Sequence, residues 1–314
     1  MTDYIDKGKK DTRSGFGAGL LEAAHRNPKI VALAADLRDS VKMDAFAAEF
    51  PERFFQCGIA EANMISMAAG FAIEGYVPFC GTFANFASAR VLDQIRQSVC
   101  YSKNNVKIAA SHSGITLGED GATHQTLEDS GILRMLPGMT VINPCDYNQT
   151  RLATLAAAEL DGPVYLRFGR PAVPNFTPAD YDFKIGKAYK MNDGKDVTII
   201  ATGHLVWEAV QATRALEAEG IGVDLINIHT IKPLDEEAVI ASARKTGRVI
   251  VAEEHLVAGG LCELVAGVLA LNCPSKMRFV AIDDEFGQSG KPGELMLAYG
   301  LDSVHIVEAA KELL

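Results

Sequence analysis

An α/β fold of two doubly wound domains is predicted, and three observations predict it. Short apolar runs alternate with longer helix-like stretches along most of the 314 residues, the order that builds parallel sheets covered by helices. The runs are continuous rather than alternating, which suits strands buried on both faces. Between them lies a break, where Pro171, Pro174 and Pro178 are followed by polar residues up to Lys195 and regular structure is interrupted. The length is too great for one ordinary core. The expected division is a first domain at 1–180, a linker at 181–195 and a smaller second domain at 196–314.

Taken in order, residues 1–14 are polar and charge-dense and read as an arm entering a helix near 14–26. Gly15, Gly17 and Gly19 lie within that helix-like stretch and follow no strand, so they read as helix packing and not as a dinucleotide loop. Residues 30–35 form a buried strand, and Asp36 to Ser40 then sit at its carboxyl end, where open α/β sheets bind ligands. Phe54 and Phe55 are strand-like. After Gly58 the pattern turns helical, so Glu61 falls in or just before a first helical turn, near unpaired N–H groups and the positive dipole end. These favour its ionised form, whereas burial against Ile59, Met64 and Ile65 would hold a proton on it. For an isolated glutamate, a plain first-turn acid or cap is the better reading. A strand at 77–83, a helix at 84–101 and a strand at 106–110 follow, the last delivering Ser111 and His112.

Residues 112–125 hold two of the chain's seven histidines, His112 and His124, with Glu119, Asp120 and three glycines. Long polar loops between strand and helix are commonly functional. No histidine pair has helical i, i+4 spacing, which places a polar substrate loop ahead of a metal site. Strands are expected at 140–144 and 164–168, and in the second unit at 197–201, 223–228, 249–252 and 279–282, with a helix through 219. His204 at a helix start and Ala258-Gly259-Gly260 could bind an anion, but ordinary turn chemistry is the better reading.

The composition, 48% apolar and 22% charged, is that of a soluble globular protein. A formal net charge of -10 argues against nucleic acid or an anionic membrane as partner, while leaving room for a local basic cluster and a small phosphorylated ligand. Six cysteines (Cys57, Cys80, Cys100, Cys145, Cys262, Cys273) are scattered without a CxxC pair and read as reduced core residues, with no metal site expected. Residues 1–13 carry no charged-then-apolar leader and no apolar run is long enough to span a bilayer, so a cytoplasmic protein is expected. Neither the GxSxG elbow nor the GxxxxGK[ST] phosphate loop occurs.

Several motifs in order carry a family resemblance: Ala34-Ala35-Asp36-Leu37 with Ser40, Gly58-Ile59-Ala60-Glu61, Gly81-Thr82-Phe83 with Phe86, and Leu117-Gly118-Glu119-Asp120-Gly121-Ala122-Thr123-His124-Gln125. Beyond the break, residues 197–203 and Phe286-Gly287-Gln288-Ser289 are also similar. Over nearly its whole length the chain resembles the C-terminal half of a transketolase, in particular the split forms in which that half is a separate subunit. The resemblance implies a thiamine-diphosphate pyrimidine-binding domain followed by a smaller transketolase C-terminal domain.

It also implies roles. Glu61 would match the glutamate that shares a proton with N1′ of the cofactor's aminopyrimidine, which requires a dry carboxylate. Phe83 and Phe86 would wall the pyrimidine ring, a contact contributing about 0.5–1.5 kcal/mol beyond burial, and Asp36 would lie near the cofactor. His112 and His124 match histidines that contact the sugar and its phosphate, with His124 and Glu61 as catalytic residues. Asp120 would read the hydroxyl beside the carbonyl, and rejects analogues lacking it. Arg170, with Arg13 and Ser40, would bind the far phosphate, a group that a guanidinium fits bidentately. The implied reaction transfers a two-carbon unit from a ketose phosphate to an aldose, with thiamine carrying the covalent step.

The family's GDG followed by Asn, which holds the magnesium and diphosphate, is missing: Glu119 interrupts its nearest imitation, Gly118-Glu119-Asp120-Gly121 with Asn143. The resemblance therefore implies a partner chain that carries GDG and Asn, binds Mg2+ and shares thiamine diphosphate, in an α2β2 assembly, with this chain inactive alone. Competing readings are the β subunit of a 2-oxo-acid dehydrogenase, a deoxyxylulose-phosphate synthase-like chain, a non-catalytic binding module of the same fold, and a dinucleotide oxidoreductase. The loop with two histidines favours sugar phosphates, the retained Glu61 disfavours a degenerate module, and the dinucleotide fingerprint is absent.

Overall fold

Six apolar runs in the first half of the chain become the parallel strands of one sheet, because helices cover both of its faces. In the computed structural model, which describes residues 4–314, the strand order is Phe54–Gln56, Ile30–Ala34, Val77–Phe83, Lys107–Ser111, Val164–Arg167, Thr140–Ile142. Residues 1–3 of the expected polar arm lie outside the described residues. The strands Ile30–Ala34, Val77–Phe83 and Lys107–Ser111 are buried along their whole length, which accounts for their unbroken apolar sequences. Their register pairs Ala34 with Gly81 and Phe83 with Ser111. Three carboxyl ends are therefore aligned at one edge, and Asp36, Phe83 and His112 emerge there together.

The spaced glycines act as expected. A Cβ on Gly15 would lie 2.4 Å from Tyr147 O, and one on Gly19 would lie 2.7 Å from Thr154 Cβ. Helix Thr12–Arg26 thus packs backbone-close on helix Tyr147–Glu159. Its start is set by Asp11, whose carboxylate accepts from Ser14 N at 2.9 Å.

The second sheet runs Lys276–Ile282, Arg248–Leu256, Val197–Ala201, Val223–Asn227, Tyr189–Lys190, parallel except for the last strand. Tyr189–Lys190 falls inside the segment read as a linker and is an antiparallel edge strand here. Strand Thr230–Lys232 crosses the other way and pairs antiparallel with Thr140–Ile142 of the first sheet. Residues 84–101 are not one helix. Ala84 N donates to Ser111 O at 2.6 Å and Ser88 Oγ to Ala84 O at 2.7 Å, so the segment first turns; a 3-10 turn at Ala89–Val91, one α turn and a π-helical stretch at Ile95–Tyr101 follow.

The two domains share a buried polar seam. Arg167 and Asp129 side chains are 3% and 0% exposed and meet at 3.0 Å, Tyr165 Oη donates to Asp129 Oδ2 at 2.8 Å, and Arg167 Nη2 donates to Glu254 O at 2.9 Å. Glu254 Oε1 in turn accepts from Thr116 N at 2.6 Å. No helix among the described residues is long and apolar enough to cross a membrane.

The buried charges lead to two expected outcomes. Arg167→Leu leaves the Asp129 carboxylate buried without its cation and is expected to lower the unfolding free energy by about 3–5 kcal/mol, read from urea denaturation. Lys107, whose Nζ donates to Leu160 O and Gly162 O at 2.6 Å, is pulled by burial from its ordinary 10.5 down to about 7. Between those values the unfolded chain binds a proton that the native chain does not, so stability rises with pH across that window. Lys107→Met should remove this component of the pH slope while weakening the fold, because two partly buried carbonyls lose their donor.

Candidate active site

The aligned strand ends bring the site together by register. After Ile30–Ala34 and Lys107–Ser111 the chain turns at Asp36 and His112, both with φ of 59°, a left-handed conformation that a non-glycine residue adopts only when its surroundings enforce it. Gln56 Oε1 accepts from Asp36 N at 2.7 Å, and Ser111 Oγ meets His112 Nδ1 at 2.7 Å. The His112 ring stacks on Phe83 with centroids 3.8 Å apart, Phe83 stacks on Phe86 at 5.8 Å, and His124 meets Phe86 edge-on at 5.5 Å. Four expected site residues therefore form one continuous aromatic wall.

Glu61 is the first residue of helix Glu61–Ile73, and no side chain caps that helix. It is 5% exposed, packed beside the fully buried Met64 and Ile65. Ile59, expected to cover it, is 80% exposed because it sits on the turn that follows Gly58, a glycine with φ of 69°. Glu61 is thus the first-turn acid the sequence suggests but caps nothing: its Oε1 accepts from Arg90 Nη1 at 3.3 Å. The Arg90 guanidinium also lies over the Phe86 ring at 4.0 Å. Arg90 belongs to none of the motifs. Its one signal in the sequence is the i, i+4 spacing from Phe86.

At the other end of the wall stands a basic cluster. Arg13 Nη1 donates to Ser40 O at 3.1 Å, so Ser40 takes part through its carbonyl. Arg170 Nη1 donates to Leu117 O at 2.8 Å and to Glu119 Oε2 at 3.2 Å. Arg13 and Arg170 are close enough to influence each other and His112. Burial first, then these two cations, hold the His112 imidazole down to about 3, so it is neutral at ordinary pH and offers one ring donor and one acceptor. Residues 36–40 with Gln56 line an open cavity of about 390 Å³ beside this cluster. Asp120 is exposed and makes no hydrogen bond or ion pair with the described residues.

The suggested anion sites in the second domain are taken by the chain itself. Glu253 accepts from Leu261 N at 2.8 Å and Cys262 N at 2.7 Å at the helix start that follows Gly260, and His204 is buried against Gly169. Among the described residues no group of three or more His, Cys, Asp or Glu side chains is placed to hold a metal ion.

The arrangement suits a flat, cationic or polar heterocycle at one end and an anion at the other. A buried carboxylate can hydrogen-bond a ring nitrogen while the ring lies on Phe86, and two guanidiniums beside a neutral imidazole can hold a phosphate. Thiamine diphosphate fits the first of these requirements, with Glu61 and the Phe83–Phe86 pair as the holding residues.

Comparison with known proteins agrees over both domains. Residues 8–175 match the transketolase pyrimidine binding domain, and residues 186–306 match the transketolase C-terminal domain. The chain is 45% identical over 294 residues to 6-deoxy-6-sulfo-D-fructose transketolase subunit SqwH of Clostridium sp. (strain MSTE9), covering 94% of this chain and 91% of that one. It is 41% identical over 302 residues to an apulose-4-phosphate transketolase subunit of Phocaeicola vulgatus, covering 96% of each. Its fold superposes with a TM-score of 0.91 on a split-gene transketolase solved as an inactive beta4 tetramer, at 45% identity and covering 96% of this chain and 98% of the other. The chain belongs to the transketolase family, whose pyrimidine-binding and C-terminal domains it comprises.

Proposed function

We propose that this chain is the C-terminal subunit of a two-chain transketolase, transferring a two-carbon ketol unit from a ketose phosphate to an aldose or aldose phosphate. The observation that carries the reading is the buried Glu61 at a helix start beside the Phe83–Phe86 wall, in a chain whose sequence lacks GDG and Asn. The partner subunit would carry that motif, bind Mg2+ and share thiamine diphosphate, in a cytoplasmic α2β2 heterotetramer. Two relatives are named as subunits, and the similar solved structure of one subunit type alone is described as inactive; both facts support a partner.

When bound, thiamine diphosphate supplies a nucleophilic carbon that no side chain offers. Glu61 would hold or give up a proton at the pyrimidine ring nitrogen, in a setting from which water is excluded. Arg90 bonds one oxygen of that carboxylate, Oε1, which leaves Oε2 for the ring nitrogen. Phe83 and Phe86 would fix the ring plane, with Asp36 near the cofactor. Arg13 and Arg170 would fix the far anion together with Ser40, and His112, being neutral, would donate to the sugar or phosphate without adding charge. His124 would move a proton at the sugar oxygens, and Asp120 would read the hydroxyl beside the carbonyl. The named substrates of the two relatives differ, so family membership alone does not fix the sugar.

In the complex with its partner, Glu61→Gln is expected to lower kcat by about 10²–10⁴-fold with the ketose phosphate KM little changed. Arg13→Ala should instead raise that KM by about 10–100-fold, the loss of one charge-assisted contact. Full turnover by the Glu61→Gln complex would contradict the proposal.

A further inference from the structure

The loop 118–124 carries Asp120 and His124, yet both of its ends are held by the second domain. Ile115 and Leu127 are buried in the apolar core of that domain beside Val206, Ile282 and Leu295. Leu256 N donates to Leu127 O at 2.7 Å, and Thr116 N to Glu254 Oε1 at 2.6 Å. Between these ends lies the buried side chain of Gln125. Its Nε2 faces three carbonyls: Ile115 O at 3.1 Å, Gly118 O at 3.3 Å and Gln288 O at 2.9 Å. One amide thus ties the turn before the loop, the loop's first residue and the Phe286–Ser289 turn of the second domain.

Glycines permit the approach from both sides. A Cβ on Gly287 would lie 2.0 Å from Gln125 Oε1, and one on Gly121 would lie 2.4 Å from Ser289 Oγ. One on Gly118 would lie 3.3 Å from Pro292 Cδ. The Phe286-Gly287-Gln288-Ser289 motif makes no hydrogen bond to Glu61, Phe83, Phe86, Arg13 or Arg170 among the described residues. Its hydrogen bonds are those from Gln125 Nε2 to Gln288 O and, within the second domain, from Tyr299 Oη to Phe286 O.

We propose that Gln125 is a positioning residue and the Phe286–Ser289 turn its seat, so that the second domain sets where Asp120 and His124 stand and thereby tunes sugar recognition. This rests on the sugar-binding reading of the loop given above. Glu61, Phe83 and Phe86 stand on elements of the first domain, and that domain meets the loop where His124 lies edge-on to Phe86 and Asn85 Nδ2 donates to Thr123 O at 2.7 Å. The turn itself makes no hydrogen bond to them among the described residues, so sugar affinity should fall much further than cofactor affinity.

The test uses the complex reconstituted with its partner subunit and two variants. Gly287 lies outside the left-handed region, so Gly287→Ala fits its own backbone and displaces only the Gln125 amide. Gln125→Glu keeps the shape but turns an acceptor toward three carbonyls. Both are expected to raise KM for the ketose phosphate donor by about tenfold or more, while Kd for thiamine diphosphate, from calorimetric titration, stays within about twofold. Unchanged KM in both variants, or a cofactor Kd that rises in step with KM, would overturn the positioning role. If Gly287→Ala does not assemble with the partner, Gln125→Glu decides alone. A wild-type complex that turns over no sugar phosphate overturns this role together with the proposed function, whereas active wild type with variants of unchanged KM overturns this role only.

Discussion

The segment from Ser111 to Asp129 begins on a strand of the first sheet and is held by the second domain, and the rest of the structure depends on that joint hold. Ser111 is fixed by the parallel ladder with Phe83. Asp129, at the other end, is locked by Arg167 and Tyr165 in a seam where no water competes for the charge. Between them Ile115 and Leu127 belong to the other domain's core. From that group Arg167 Nη2 reaches across to Glu254 O, and Thr116 N donates to Glu254 Oε1, bonds that favour one relative placement of the two domains. The polar, glycine-rich loop 112–125 that carries Asp120 and His124 is also held from the first domain, by Asn85 Nδ2 donating to Thr123 O at 2.7 Å and by Phe86 against His124.

Charge is distributed to match. The chain carries a net charge of -10, yet Arg13 and Arg170 gather at one strand-end edge beside a histidine that burial keeps neutral. A cluster of this kind attracts a small anion against an unfavourable overall field because the interaction acts at contact range, where screening is weak. At the opposite end of the aromatic wall Arg90 neutralises the Glu61 carboxylate. A buried acid at a helix start would need a counter-charge or a ligand, and Arg90 is the counter-charge this chain offers.

Much of this was legible in the sequence. Strands such as Val77–Phe83 are buried on both faces, so their whole sequence is apolar and their type is unambiguous. Among the residues the motifs single out, Phe83, Phe86, His112 and His124 form one row of rings, and Arg13 and Arg170 lie near each other. What was hidden depends on tertiary partners. The segment 84–88 turns where Ala84 N donates to Ser111 O on the neighbouring strand, although the local pattern is helical. The three-residue strand Thr230–Lys232 has no pattern of its own and exists because Thr140–Ile142 pairs with it. Ile59 is apolar by type but stands on a turn, and Arg90 and Gln125 act through contacts that spacing alone does not reveal.

Glu61, the row of rings and the basic cluster lie along one strand-end edge, and no GDG occurs in this sequence. The central claim is that the site is completed by a second chain. Calorimetric titration of thiamine diphosphate with Mg2+ into this chain alone, the partner alone and the equimolar mixture tests it most directly. Tight binding is expected only in the mixture, with transketolase turnover appearing at the same stoichiometry. Equally tight binding by this chain alone, or turnover without a partner, would contradict it.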